Sequence, residues 1–117
     1  MHIFRRFVVL PLLGLSLVLA GCGGHATLTR SIDAAPVSGG AGFDPVTITV
    51  HKDDNVVLNV GNTTAVTHGF SIEGYGIHDT VDPNTPIKVK FKAGKPGTFK
   101  IFCQLHPGHQ TATLIVE

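Results

Sequence analysis

Apolar and polar residues alternate with a period of two along most of the chain after residue 43. Residues 46–50 alternate cleanly, and residues 87–92 alternate apolar with basic side chains, so one face of each segment can be buried while the other faces water. Further strand-like segments, separated by turns, are found at residues 56–60, 68–72, 98–103 and 111–116. A helical period is missing, so the pattern predicts an all-β protein, built as an antiparallel sandwich or barrel.

The first 21 residues have a different pattern, which is typical of an export signal. Two arginines precede an apolar segment, residues 7–20, that is too short and wrongly flanked for a membrane-spanning helix. Residues 19–22, Leu-Ala-Gly-Cys, resemble a bacterial lipobox, in which the chain is cleaved before the cysteine and Cys22 is lipidated. We therefore expect residues 1–21 to be a lipoprotein signal peptide. A plain transmembrane anchor and an ordinary cleaved signal are the alternatives.

Residues 22–42 are rich in Gly, Ala, Ser and Thr, which predicts a flexible tether between the anchor and a folded domain at residues 43–117. His25 lies in this tether and is expected to be solvated. Cleavage of the signal would leave seven basic and eight acidic residues without a basic cluster, so nucleic acid is not an expected partner. The expected location is periplasmic or otherwise extracytoplasmic, with the domain held at a membrane by lipid on Cys22.

The count of two cysteines gives the first indication of chemistry. If Cys22 carries lipid, Cys103 has no partner for a disulfide, although exported proteins normally use their cysteines in pairs. A bound metal ion would hold such a lone thiol. It would also stabilise a domain of roughly 75 residues, whose hydrophobic core is small.

The sequence FCQLHPGHQ places one thiol and two imidazoles three residues apart, at Cys103, His106 and His109. Pro107 favours an extended backbone at His106, and Gly108 allows the chain to reverse direction after it. The three side chains can therefore converge on one ion. A thiolate combined with imidazoles suits copper or zinc.

A fourth ligand has to come from another part of the chain. His68 is the best candidate, because it begins a predicted strand and can lie at the same end of the sandwich. His78 is the second choice, whereas His51 lies beside a charged turn and is expected on the surface. The simpler interpretation is that Cys103 is a small buried apolar residue and that the His-Pro-Gly-His run is only a turn.

These residues resemble the copper site of the cupredoxin family, whose fold is a Greek-key β-sandwich. Members of the family bind copper through an N-terminal histidine, which His68 matches, and a Cys-x-x-His loop, which Cys103 and His106 match. His109 stands where short-loop members have a weak axial methionine, and the only methionine of this sequence is Met1. The related CuA site would need a second cysteine in the loop, which this loop does not have.

Within the family, the sequence is most similar to the nitrosocyanin-like red copper proteins. The resemblance rests on the Gly-Phe-Ser-Ile, Lys-Pro-Gly and Cys-Gln-Leu-His-Pro runs, and it covers roughly residues 46–117. It implies that Cys103, His106 and His109 bind copper. The sequence departs from this branch in two respects: His68 replaces a glutamate ligand, and the loop is shorter before its second histidine.

We therefore predict an exported, mononuclear copper protein in which His68, Cys103, His106 and His109 bind one copper ion. An axial imidazole in place of a thioether predicts a low reduction potential and a red or green, non-blue site. Electron transfer to a redox partner protein is the expected function. Copper binding or delivery for homeostasis and a structural zinc site are the alternatives. An enzyme is not favoured, because the sequence shows neither a Ser-His-Asp arrangement nor a phosphate-binding loop.

Overall fold

A computed structural model of the protein describes residues 27–117, and within this range the chain forms nine strands and no helix. These residues accordingly contain no helix that could cross a membrane. In chain order the strands are β1 (Thr27–Val37), β2 (Gly40–Asp44), β3 (Thr47–Val50), β4 (Asn55–Asn62), β5 (His68–Ile72), β6 (Ile77–Val81), β7 (Ile87–Lys92), β8 (Gly97–Phe102) and β9 (Ala112–Val116).

The strands form two sheets with one core between them. The four-stranded sheet has the order β2-β1-β4-β7, and the five-stranded sheet has the order β3-β9-β8-β5-β6. The predicted all-β sandwich is thus confirmed. It is not wholly antiparallel, because β1 pairs with β4 and β3 pairs with β9 in parallel, while the other five pairs are antiparallel.

The period-two pattern of the sequence supplies the core. Val56, Leu58 and Val60 of β4 are buried, and the residues between them are partly exposed. Phe43 and Phe70 meet edge to face in the centre, with 5.7 Å between their ring centroids. Full burial of an aliphatic or aromatic side chain of this kind contributes about 1.5–3 kcal/mol. The core therefore makes a rigid base for whatever lies at the ends of the strands.

The residues before position 43 correct the predicted domain boundary. The composition predicted a tether at residues 22–42, but most of that segment forms β1 and β2. β1 pairs with β4 over eight residues, and Ile32 and Ala34 of β1 are buried in the core. The sequence did not indicate this strand, because its large apolar residues, Leu28, Ile32 and Val37, do not recur at every second position. The predicted signal peptide and Cys22 lie outside the described residues.

Strand β6 was also not predicted from the sequence. Ile77 and Val81 are its apolar residues, and three polar residues separate them. β6 is an edge strand that pairs only with β5, and there Val81 lies opposite His68. An edge strand with one wet face needs few apolar residues, which is why the sequence pattern did not show it.

The parallel strands β1 and β4 define the two ends of the sandwich. They start together, with Thr27 opposite Asn55, and β4 finishes at Asn62 at the other end. Asn62 is buried, and its side-chain amide donates to the carbonyl oxygens of Val66 and Val81, at 2.8 Å each. These two bonds hold the connection to β5 at this end of the sandwich, so His68 enters the structure beside them.

Candidate metal centre

Three chain segments meet at the end of the sandwich where β4 finishes. His68 is the first residue of β5, Cys103 follows the last residue of β8, and the loop after Cys103 leads to β9. β5 and β8 are antiparallel neighbours, so β5 begins where β8 ends. Their register, with Ser71 opposite Phe102, brings His68 and Cys103 together.

The donor atoms of three predicted ligands form a compact cluster. The sulfur of Cys103 lies 3.5 Å from Nδ1 of His106 and 3.8 Å from Nδ1 of His68. All three donor atoms lie within 4.8 Å of one another. In a tetrahedral site, bonds of about 2.0 Å to nitrogen and about 2.3 Å to sulfur place neighbouring donor atoms roughly 3.5 Å apart. The spacing therefore fits a single metal ion.

The cluster is buried on one side and open on the other. His68 and Cys103 are 3% and 6% exposed, whereas His106 is exposed to solvent. The sulfur of Cys103 accepts a hydrogen bond from the backbone N–H of Gly69, at 3.1 Å. This hydrogen bond orients the sulfur, and the thiolate is the form of cysteine that binds metals.

His109 lies beside this cluster without being one of its three members. Its buried ring is 4.8 Å from that of His68 and 4.4 Å from that of Phe43, measured between centroids. Nδ1 of His109 donates to the carbonyl oxygen of Gln110 at 3.0 Å, so the lone pair is on Nε2. That Nε2 atom is buried without a hydrogen-bond partner. A buried lone pair without a partner is costly, and a metal ion would satisfy it.

Burial keeps the two inner imidazoles neutral. The pKa of His68 is lowered by its removal from water, and positive charge on His109 or His106 lowers it further. Burial also lowers the pKa of His109, although its hydrogen bond to Gln110 acts in the opposite direction. A neutral imidazole is the form that coordinates metals, so both rings are prepared for ligation at neutral pH.

A surface depression of about 360 Å³ connects the cluster to solvent. His68, His106 and His109 line it together with Ala41, Val66, Pro107 and Gly108. The three histidines among the predicted ligands thus border one opening, and its other walls are apolar or glycine. The exposed His106 is the group through which a solute or partner would approach the cluster.

The two weaker candidates from the sequence are not in the cluster. Nδ1 of His78, on β6, lies 2.9 Å from Oγ of Ser71. His51 is at the opposite end of the sandwich, with its ring 3.6 Å from the carboxylate of Asp54. Sequence reasoning also missed Gly69, whose N–H contacts the sulfur. The only available signal was a glycine directly after the predicted ligand His68.

Comparison with known proteins places this geometry in a family. The family model of the cupredoxin-like domain matches residues 24–116. The chain belongs to the cupredoxin-like domain family. The match begins before β1, in agreement with the strands found there, and it confirms the predicted resemblance at the level of the family.

The curated relatives are much larger proteins. The nitrous-oxide reductase of Cupriavidus necator is 38% identical to this chain over 55 residues, which are 44% of this chain and 9% of the reductase. That of Ralstonia nicotianae is 40% identical over 55 residues, which are 8% of its length. The chain therefore spans less than a tenth of either enzyme.

Solved cupredoxin structures share the fold. Auracyanin A, a blue copper protein from Chloroflexus aurantiacus, superposes with a TM-score of 0.64 at 18% identity, covering 78% of this chain and 99% of auracyanin. The copper nitrite reductase of Nitrosomonas europaea gives a TM-score of 0.66 at 18% identity, covering 78% of this chain and 41% of the reductase. At such identities the likeness shows the cupredoxin fold. The closer similarity to nitrosocyanin-like proteins stays a prediction.

Proposed function

We propose that this cupredoxin binds one copper ion and transfers electrons. The observation that carries the proposal is the convergence of the Cys103 sulfur with Nδ1 of His68 and of His106, all within 4.8 Å. One thiolate and two imidazoles are the donor set of cupredoxin copper sites. Bound copper would supply one-electron redox chemistry.

The scaffold supports a redox function because it fixes the ligands. His68 belongs to a strand whose five residues are all buried, and Cys103 follows a strand paired on both sides. Protein interiors are closely packed, so these two ligands cannot shift freely. Ligands that stay in place when copper changes oxidation state allow fast electron exchange.

We further propose His109 as the fourth ligand, through its Nε2. The buried position of this atom, its missing hydrogen-bond partner and the nearness of the His68 ring support the assignment. A nitrogen donor in place of a thioether favours Cu(II) and lowers the reduction potential. A red or green colour would follow, as in the nitrosocyanin-like branch that the sequence resembles.

Copper loading tests the proposal. We expect metal-free protein to bind one Cu(II) per chain and to develop an intense visible band from sulfur-to-copper charge transfer. Cys103→Ser should remove the band while far-ultraviolet circular dichroism still reports a β-sandwich. A protein that binds Cu(II) without any such band would contradict the proposed centre, and colourless protein that retains Zn²⁺ against Cu(II) would favour a structural zinc site.

The exposure of His106 favours a second candidate, copper binding or delivery. A ligand that solvent reaches can be replaced by a ligand from a partner, so copper could leave through the depression beside it. Rapid transfer of Cu(I) to a soluble chelator, together with slow electron exchange, would favour delivery over electron transfer.

We also propose that lipid on Cys22 holds the protein at the outer face of a membrane. In support, β1 begins at the end of the sandwich opposite the metal centre and pairs with β4 along eight residues. At about 3.3 Å per residue, the paired part of β4 places Asn62, at the metal end, roughly 23 Å from the start of that strand. The centre would then face away from the membrane, within reach of a soluble partner. Mass spectrometry of the mature N-terminus tests this, and an unmodified Cys22 would contradict it.

A further inference from the structure

Hydrogen bonds among side chains join the residue after Cys103 to the neighbouring strands. Gln104 donates through Nε2 to the carbonyl oxygen of Asp79 at 2.8 Å, and its Oε1 accepts from the hydroxyl of Ser71 at 2.7 Å. Ser71 is completely buried, and His78 lies on its other side at 2.9 Å. None of these four residues belongs to the predicted ligand set.

The direction of each bond follows from the number of protons available. The hydroxyl of Ser71 has one proton, and it is donated to Gln104. The oxygen of Ser71 must therefore accept from Nδ1–H of His78, which leaves Nε2 of that ring facing outward. The hydroxyl of the buried Ser71 is thus bonded on both sides, by Gln104 and His78, which are themselves exposed. Removing Gln104 would take away the acceptor of this buried hydroxyl, which is costly.

The side chain of Gln104 forms its hydrogen bonds at the point where the backbone pairing of β5 with β8 ends. The β5–β8 ladder contains only two residue pairs, Ser71 with Phe102 and Ile72 with Ile101. After Phe102 the chain leaves the ladder, so the backbone of Cys103 is not held by ladder bonds to β5, and only its sulfur is bonded to that strand, by the N–H of Gly69. The side chain of Gln104 instead reaches over β5 to the backbone of Asp79 on β6. It is therefore the group that ties the start of the metal-binding loop to both strands.

Gly69 makes room for this arrangement. A Cβ atom at position 69 would collide with the side-chain amide of Gln104 and would come within 2.9 Å of its backbone nitrogen. Gln104 thus lies directly against the backbone of Gly69. The same glycine donates its N–H to the sulfur of Cys103 at 3.1 Å. The position of Gln104 and the hydrogen bond to the sulfur are therefore coupled.

We propose that Gln104 is a positioning residue, which holds the sulfur of Cys103 against the N–H of Gly69 through its bonds to Ser71 and Asp79. Gln104 would also tune the copper affinity and the reduction potential, and this second role rests on the proposed copper function. Outer partners of metal ligands have such effects, typically worth about 10–100-fold in affinity.

Metal-free protein gives the first test, which is independent of copper. Gln104→Leu keeps a side chain of similar size but cannot form either hydrogen bond, and Ser71→Ala removes the buried hydroxyl that donates to Gln104. Val89→Ala, in the core of the other sheet, is the control for a general loss of stability. We expect the first two variants to react with a disulfide reagent at Cys103 on the order of tenfold faster than wild type, by analogy with outer-partner effects. Val89→Ala should react at the wild-type rate when the variants are compared under conditions in which they have the same unfolding free energy.

Hydrogen exchange and copper binding complete the test. The amide of Gly69 should exchange faster in Gln104→Leu than in Val89→Ala. With copper, we expect Gln104→Leu to bind about 10–100-fold more weakly and to show a shifted visible band and potential. Gln104→Glu keeps an acceptor for Ser71 but loses the donor to Asp79, so it should lie between wild type and Gln104→Leu.

The outcomes separate this proposal from the copper function. If Gln104→Leu and Val89→Ala show equal thiol reactivity and equal Gly69 exchange at the same unfolding free energy, the positioning role is overturned. This holds regardless of the result with copper. A faster thiol reaction in a protein that binds no copper would uphold the positioning of Cys103 and contradict the proposed function instead. In the double variant Gln104→Leu/Ser71→Ala, the thiol reaction should speed up by less than the product of the two single increases. The reason is that both changes break the same chain of bonds.

Discussion

The two ends of the sandwich each carry a histidine next to the end of a strand, but in opposite environments. His68 is 3% exposed, has the thiol of Cys103 beside it, and has a lowered pKa because it is buried. The side chain of His51 at the other end is 76% exposed and lies next to the carboxylate of Asp54. Burial and convergence, rather than residue type, distinguish a candidate ligand from a surface histidine. Only at the His68 end do neighbouring antiparallel strands, β5 and β8, bring a thiol next to the histidine.

Substituting the two histidines should give the largest contrast. His68→Gln removes an imidazole ligand but keeps a side chain of similar length, so we expect Cu(II) affinity to fall by more than the ~100-fold upper range of outer-partner changes. His51→Gln is the matched control and should leave affinity unchanged. Competition with a chelator of known affinity measures both, and equal affinities in the two variants would remove the distinction between the ends.

Asn62 shows that the metal end also depends on a buried polar residue for its structure. Asn62→Ala removes the amide that bonds Val66 and Val81, so we expect unfolding free energy to fall by about 1–3 kcal/mol. For a domain of this size, each kcal/mol corresponds to about 4–8 °C in Tm. Asn59→Ala, whose side chain is bonded only at the surface to Lys88, is the control and should change Tm little. An unchanged Tm in Asn62→Ala would contradict the assigned role.

Replacing His109 tests whether its nitrogen acts as a ligand. His109→Met supplies a thioether at the same position in the loop, so we expect a higher reduction potential and absorption closer to that of a blue site. A rise of about 59 mV corresponds to a tenfold change in the relative affinity for the two oxidation states. Cyclic voltammetry and the optical spectrum measure the effect. A potential and spectrum identical to those of wild type would exclude His109 from the centre.

The pH dependence of stability should also report the burial of the histidines at the metal end. The unfolded chain holds its histidines near their ordinary pKa of about 6.5, whereas burial lowers the pKa of His68 and His109 in the folded protein. The unfolded state then binds more protons, so the metal-free protein should lose stability as pH falls below about 6.5. Urea unfolding between pH 7.5 and roughly pH 5 measures this. His68→Gln should flatten the dependence, and a dependence equal to that of wild type would contradict this expectation.

The sequence predicted the sandwich well where alternation was regular and poorly where it was sparse. Strands β3, β4, β7 and β8 carry an apolar residue at every second position, and that spacing alone indicates a buried face. β1 and β6 do not show this alternation of large apolar residues, and they become strands because neighbouring strands pair with them. Tertiary pairing of this kind leaves little trace in local composition.

The candidate ligands could be predicted because their chemistry is concentrated in a short run of residues. Cys103 and His106 are three residues apart, so a loop alone brings them together, and His68 needed only the rule that antiparallel neighbours meet at strand ends. Gln104 and Ser71 could not be found in this way, because their contact depends on the register of β5 and β8. Nothing in the spacing of the sequence fixes that register.

The parallel pairing of β1 with β4 has a mechanical consequence. A force that pulls Thr27 along the axis of β1 would load the backbone bonds of all eight paired residues in shear at once. A force that separates the two strands from one end would break these hydrogen bonds one at a time, at a lower load. Tension applied at that terminus should therefore be absorbed by the ladder, while the ligand geometry at the far end of the sandwich stays unperturbed.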